Sequence, residues 1–170
     1  MPHIHPDRCE MKSPLSWPSL LKRGSHWAHI APVPRNLAEE FAATLPQRKH
    51  AAVRIIRGKH CGTREELLDE FARGLDFPQY FGRNWDALED CLTDLEWLSA
   101  EAFVLILTNA DQVLRSSPGE LKTFAGILSA AAAHWSSAEP PASFHCLFHC
   151  EPGSAEDLKH RLAEVGILPS

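Results

Sequence analysis

Four carboxylates stand out by their spacing. Asp86, Glu89, Asp90 and Asp94 recur at i, i+3, i+4 and i+8, so a helix would gather them on one broad face. Seven acids and no Lys or Arg fall between Asn84 and Leu114, where an ordinary solvated helix mixes both signs. Carboxylates massed this way can hold a metal, move protons, or receive the guanidinium and ammonium groups of a basic surface. The chain has no nucleophile elbow, no phosphate-cradling glycine loop and no metal-ligand spacing, which removes the usual companions of the first two uses. The third use stands beside a plainer alternative, in which the acids only solvate the helix. First-turn acids suit the positive end of a helix, which accounts for Asp86 and in part for Glu89, but not for Asp90 or Asp94.

The residues around the acids are those needed to fix such a row. Asn84 is a good N-cap. Trp85, Leu88, Leu92 and Leu95 recur at helical spacing and give one apolar stripe for the opposite face. Upstream, Pro78 and Gly82 interrupt regular structure on either side of Tyr80 and Phe81, so an aromatic-bearing loop leads directly into the acidic helix.

The run Tyr80-Phe81-Gly82-Arg83-Asn84-Trp85-Asp86-Ala87-Leu88-Glu89-Asp90-Cys91-Leu92-Thr93 resembles the central loop and second helix of the barstar family, inhibitors of the ribonuclease barnase. The family pattern is an aromatic pair, Gly, a variable residue, Asn, an apolar residue, Asp-Ala-Leu, a variable residue, and Asp-Cys-Leu-Thr. The likeness continues more loosely, in element order, from Ala51 to Cys150. It implies an α/β fold with a three-stranded parallel sheet and helices packed against it. It also implies that Tyr80 packs on the partner and that Asp86 and Asp90 are the two central acids. Asp90 would then be the main mimic of an RNA phosphate, facing Arg and His side chains of a nuclease. Gly82 and Asn84 match positions that shape the loop and its contact surface, and Thr93 matches a peripheral contact. Three positions depart from the family's prototype. Glu89 stands where the prototype has an aromatic, Arg83 stands where it has an acid, and Ala130 falls where it carries a further acid before the last strand.

Composition narrows the alternatives. The net charge of −5 conceals an asymmetry: residues 1–60 balance to +6 and residues 61–170 to −11. An acidic body repels nucleic-acid phosphate and attracts a basic protein, so direct nucleic-acid binding is not expected. The apolar runs Phe103–Leu107 and Ile127–Ala133 are too short to span a bilayer, and no apolar leader follows Met1, so a cytoplasmic location is expected. Five cysteines at 9, 61, 91, 146 and 150 form no CxxC pair and read as free thiols. His3 and His5 with His26 or His29 make a poor metal site, lacking carboxylate or Cys spacing, and no cofactor is expected.

The order of elements supports the fold. Residues 1–50 read as an N-terminal extension, irregular through residue 35, with one short helix. That helix is capped at Asn36-Leu-Ala-Glu39, carries Leu37, Phe41 and Leu45 inward, and ends at Pro46. Residues 51–150 form the barstar-like domain. Ala51–Arg57 is a strand, and Thr63-Arg-Glu-Glu66 is a capping box opening a helix to about Arg73. The aromatic loop and acidic helix follow, closed by Trp97 and Leu98. A buried strand from Glu101 to Leu107, a helix from Leu121 to about Trp135 and a strand Ser143–Cys150 complete the domain. Residues 151–170 add a C-terminal helix. Each connection between strands contains a helix, which parallel strands require.

The expected function is that of a non-enzymatic, monomeric inhibitor or immunity protein of a bacterial toxin–antitoxin type. It would block a basic ribonuclease through Tyr80, Gly82, Asn84, Asp86, Glu89, Asp90 and Thr93. A second reading keeps the fold as an interaction module for a non-nuclease partner, in a regulatory or scaffolding role. A third, acid–base or metal chemistry by Asp90 and Glu89 with His145 or His149, lacks an activated nucleophile, and histidines on a strand are more often structural.

Overall fold

The computed structural model describes residues 26–44 and 50–170. Its elements are β1 (Ala28–Pro32), α1 (Arg35–Thr44), β2 (Ala51–Arg57), α2 (Arg64–Gly74), α3 (Trp85–Asp94), β3 (Ala102–Thr108), α4 (Leu121–Ser137), β4 (Ser143–Cys150) and α5 (Ala155–Glu164). Short 3-10 turns at Gly58–His60, Glu96–Leu98, Ala110–Gln112, Pro118–Glu120 and Pro152–Ser154 join them.

The strands form one parallel sheet in the order β1-β4-β3-β2. The expected sheet of three strands is therefore corrected to four. The added strand, Ala28–Pro32, lies in the stretch expected to be irregular, and pairs Ala28 with Cys146 through Pro32 with Cys150. It is short and ends in proline, which an edge strand tolerates because one side of its backbone needs no ladder partner. Ser170 flanks it, donating its N–H to the Ala28 carbonyl at 3.1 Å and accepting from the Ile30 N–H at 3.2 Å.

The helix after β1 begins at Arg35, one residue before the expected cap Asn36, and Glu39 pairs with Arg35 at 2.8 Å instead of closing a capping box. The side chains of Leu37 and Phe41, and Leu45 and Pro46 altogether, lie outside the described residues, as do His3, His5 and Cys9.

One face of the sheet carries the main core. Phe103, Leu105 and Leu107 of β3 and Phe144, Cys146 and Phe148 of β4 meet Leu67, Leu68 and Phe71 of α2, Leu88 and Leu92 of α3, and Phe124 and Leu128 of α4. Phe71 and Phe124 pack edge-on with ring centroids 5.5 Å apart. Each fully buried leucine contributes on the order of 2 kcal/mol.

The opposite face is buried as well. Val104, Ile106, His145, Leu147 and His149 lie on it, and α1 packs near β3. His149 Nδ1 accepts from the Asn109 N–H at 3.3 Å and Nε2 lies 2.9 Å from the Val33 carbonyl. That arrangement fits a neutral ring protonated on Nε2, serving as a brace. His29 and His145 meet at 3.1 Å between β1 and β4. Both strand histidines, 145 and 149, thus have structural partners.

The C-terminal helix docks below the loop that follows β3. Arg161 donates to the carbonyls of Asp111 at 2.7 Å and Val113 at 2.8 Å, and Leu158 and Leu162 are buried beside them. Among the described residues no helix is long and apolar enough to cross a membrane.

Candidate partner-binding face

The loop ahead of α3 is anchored from beneath. The Phe81 N–H bonds to the Pro78 carbonyl at 3.0 Å. The Phe77 ring packs on Phe81 at 4.9 Å and on Trp97 at 6.0 Å, and the Trp97 indole donates to the Leu75 carbonyl at 2.8 Å. Phe81 and Phe77 therefore take the inward places of the aromatic group. Tyr80 is left outside with 78% of its surface exposed. An aromatic ring held in water on an anchored loop offers contact area at little ordering cost.

Gly82 is exposed, with only ordinary contacts around the position of a Cβ. Its neighbour Arg83 is left-handed, at φ 52, as is Asp76 at the start of the loop, at φ 53. Arg83 Nη1 reaches Asp69 Oδ1 on α2 at 2.8 Å. Asn84 then caps α3 as its sequence position predicts, its Oδ1 accepting from the Ala87 N–H at 2.8 Å.

Two indoles fix α3 against α4. Trp85 Nε1 donates to Glu120 Oε2 at 2.8 Å, and Trp135 Nε1 donates to the Leu92 carbonyl at 2.8 Å. Leu88, Cys91 and Leu92 face the core. The opposite side of α3 presents Asp86, Glu89 and Asp90 as exposed carboxylates, with Asp94 half-buried at the end. Among the described residues, none of these four enters an ion pair. Thr93 is half-buried, and its hydroxyl donates back to the Glu89 carbonyl at 2.9 Å, with the Asp90 carbonyl at 3.2 Å. Ala130, which by sequence position matches an acid of the family's prototype, is half-buried on α4.

Other ionisable groups are tied into the fold. Glu70, only 4% exposed, accepts from the Arg57 N–H and from both the Arg57 and Arg73 guanidiniums at 2.6–3.0 Å. Burial pulls its pKa up, but these bonds outweigh it and hold the carboxyl at about 2. The four described cysteines are buried and free. Burial pushes the Cys61 thiol up to about 12 and the Cys150 thiol to about 11, which leaves them unreactive. Among the described residues, no cluster of three His, Cys, Asp or Glu side chains is arranged to hold a metal.

Sequence reasoning missed Asp69, Glu120 and Trp135, which set the face from other helices. Asp69 lies across a loop from Arg83, and the other two lie on α4 or just before it, so no short-range pattern links them to α3.

These features define a small parallel α/β domain that presents one acidic helix beside an exposed aromatic. The chain belongs to the barstar family: the family model described as barstar (barnase inhibitor) matches residues 51–149. That span runs from the start of β2 to His149, one residue short of the end of β4. A 39-residue stretch is 54% identical to a Bacillus subtilis (strain 168) protein named "Putative ribonuclease inhibitor YrdF". The match covers 23% of this chain and 43% of that protein, less than half the length of that curated relative.

Proposed function

We propose that this chain is a stoichiometric protein inhibitor of a basic ribonuclease, an immunity protein that acts in the cytoplasm as a monomer. The observation that carries the reading is the row Asp86, Glu89 and Asp90, exposed and without ion pairs among the described residues, beside the exposed ring of Tyr80. A ribonuclease cleft is basic because it must hold RNA phosphates. Carboxylates fixed on a capped helix can occupy the phosphate positions without being ordered at the moment of binding. Asp90 is the main phosphate mimic and Asp86 the second acid. Tyr80 packs on the cleft rim, Gly82 and Asn84 shape the contact surface, Glu89 adds charge and Thr93 lies at the periphery. The opposite fields of inhibitor and enzyme accelerate encounter.

Arg83 and Ala130, at two positions where the family's prototype carries acids, favour a basic ribonuclease other than barnase. The alternative of a non-nuclease partner is distinguished by the same experiment. Titration calorimetry against a panel of basic microbial ribonucleases, at low and moderate salt, should give one-to-one binding that weakens with salt. Asp90→Ala should reduce affinity roughly 10- to 100-fold, the loss of a charged hydrogen bond, while Glu164→Ala on α5 should not. Binding insensitive to Asp90→Ala would refute the assigned face. Absence of binding across the panel would move the reading to a non-nuclease partner.

A further inference from the structure

Arg83 is the sole Lys or Arg between Gly74 and Leu114, the stretch that holds the entire candidate face. It sits between Gly82 and Asn84, two residues of that face, and would meet a basic partner with the wrong sign. It is also held in the left-handed region, at φ 52, which an L side chain adopts only with support from its surroundings. The main chain on either side is fixed by the Phe81–Pro78 turn and by the Asn84 cap. The Arg83 side chain itself is turned to α2, where Nη1 meets Asp69 Oδ1 at 2.8 Å.

We propose that Asp69 is a positioning and specificity residue of this face: it draws the Arg83 guanidinium onto α2, away from the surface that Tyr80 and the acids of α3 offer to a basic partner. This rests on the inhibitor reading for its partner, but not for the tether. The pair is exposed, at 69% for Arg83 and 56% for Asp69, so its worth to global stability is small and its effect lies in loop order and encounter. Losing Asp69 frees a cation at the rim of the face. Losing both residues leaves no cation to restrain, so an Asp69 substitution made without Arg83 has little left to do.

Two measurements on the full chain test this, using Asp69→Asn, Arg83→Ala and the double variant. Trypsin cleavage after Arg83, under native conditions and without a partner, should be about twofold to fivefold faster in Asp69→Asn than in the parent chain, the factor expected from losing one exposed ion pair. Equal cleavage rates overturn the tether. Stopped-flow association with a basic ribonuclease should slow in Asp69→Asn by a similar factor, and Asp69→Asn should change little when added to Arg83→Ala. Equal slowing in both backgrounds means that Asp69 acts as an independent charge, and overturns the proposal. Asp90→Ala measured alongside separates the two readings. If it leaves binding intact, or if no ribonuclease binds, the inhibitor reading and the specificity role fall together, while the cleavage rates still decide the tether.

Discussion

The Trp135 indole N–H on α4 donates to the Leu92 carbonyl of α3 at 2.8 Å, joining the helix that carries the acids to the longest of the described helices. The same ring packs on Phe103 of β3 at 4.6 Å, so one side chain ties α3, α4 and the sheet. Trp135→Phe keeps an aromatic ring against Phe103 and removes the donor. We expect a loss of about 1 kcal/mol, the net worth of one hydrogen bond, read from the urea midpoint with the slope unchanged.

Gly58 lies where β2 ends and the sheet turns. A Cβ there would collide with the carbonyl oxygens of Thr108 and Asn109, which are main-chain atoms at the end of β3. Backbone cannot rotate aside as a side chain can. Gly58→Ala should therefore part the ends of β2 and β3 and cost about 1–3 kcal/mol, the usual range for overpacking. Thermal unfolding would show it as a lowered midpoint, and amide exchange at Asn109, whose N–H bonds to His149, should accelerate.

Glu70 makes stability depend on pH. Its carboxyl titrates at about 2 in the folded chain against an ordinary value of 4.5. A depressed acid stabilises the fold above its unfolded pKa and loses that contribution as pH falls through the folded value. The window thus runs from about pH 5 down to about pH 2, and the contribution at neutral pH is on the order of 2–3 kcal/mol, allowing for half-exposed arginine partners. Glu70→Gln should be less stable at neutral pH by this order, with a flatter stability profile across the window. Denaturant titrations of both chains at a series of pH values measure it.

Much of the fold was legible because its signals are local. Thr63 and Glu66 close the capping box predicted from their spacing, Asn84 caps α3, and the apolar run ahead of Thr108 is a buried strand. The end of the acidic helix is made by Leu95, in the left-handed region, with its N–H on the Cys91 carbonyl, while Trp97 beyond it bonds to Leu75 after α2. The fourth strand was not legible. Ala28–Pro32 is five residues long and ends in a proline, with Pro34 just beyond, and it becomes a strand only because β4 offers a free edge. The acids of α3 could be read from spacing, but what positions their loop could not. The Asp69–Arg83 and Trp85–Glu120 contacts join residues separated by loops or whole elements, and no periodicity records them.

Asp94 sets the needs of the fold against the proposed needs of the face. It is the last residue of α3, whose final turn holds no basic residue, so its charge lies against the negative end of the helix dipole. It also stands four residues after Asp90, a like-charge spacing that destabilises helices. Asp94→Asn keeps the shape and removes both penalties, and should raise stability by about 0.3–1 kcal/mol. If the partner is basic and reaches this end of α3, the same change should slow association, most clearly at low salt. Thermal melts and association rates on one preparation compare the two effects. A more stable variant that binds as fast as the parent would mean that the partner's footprint ends before Asp94, and that Asp86, Glu89 and Asp90 alone make up the electrostatic face.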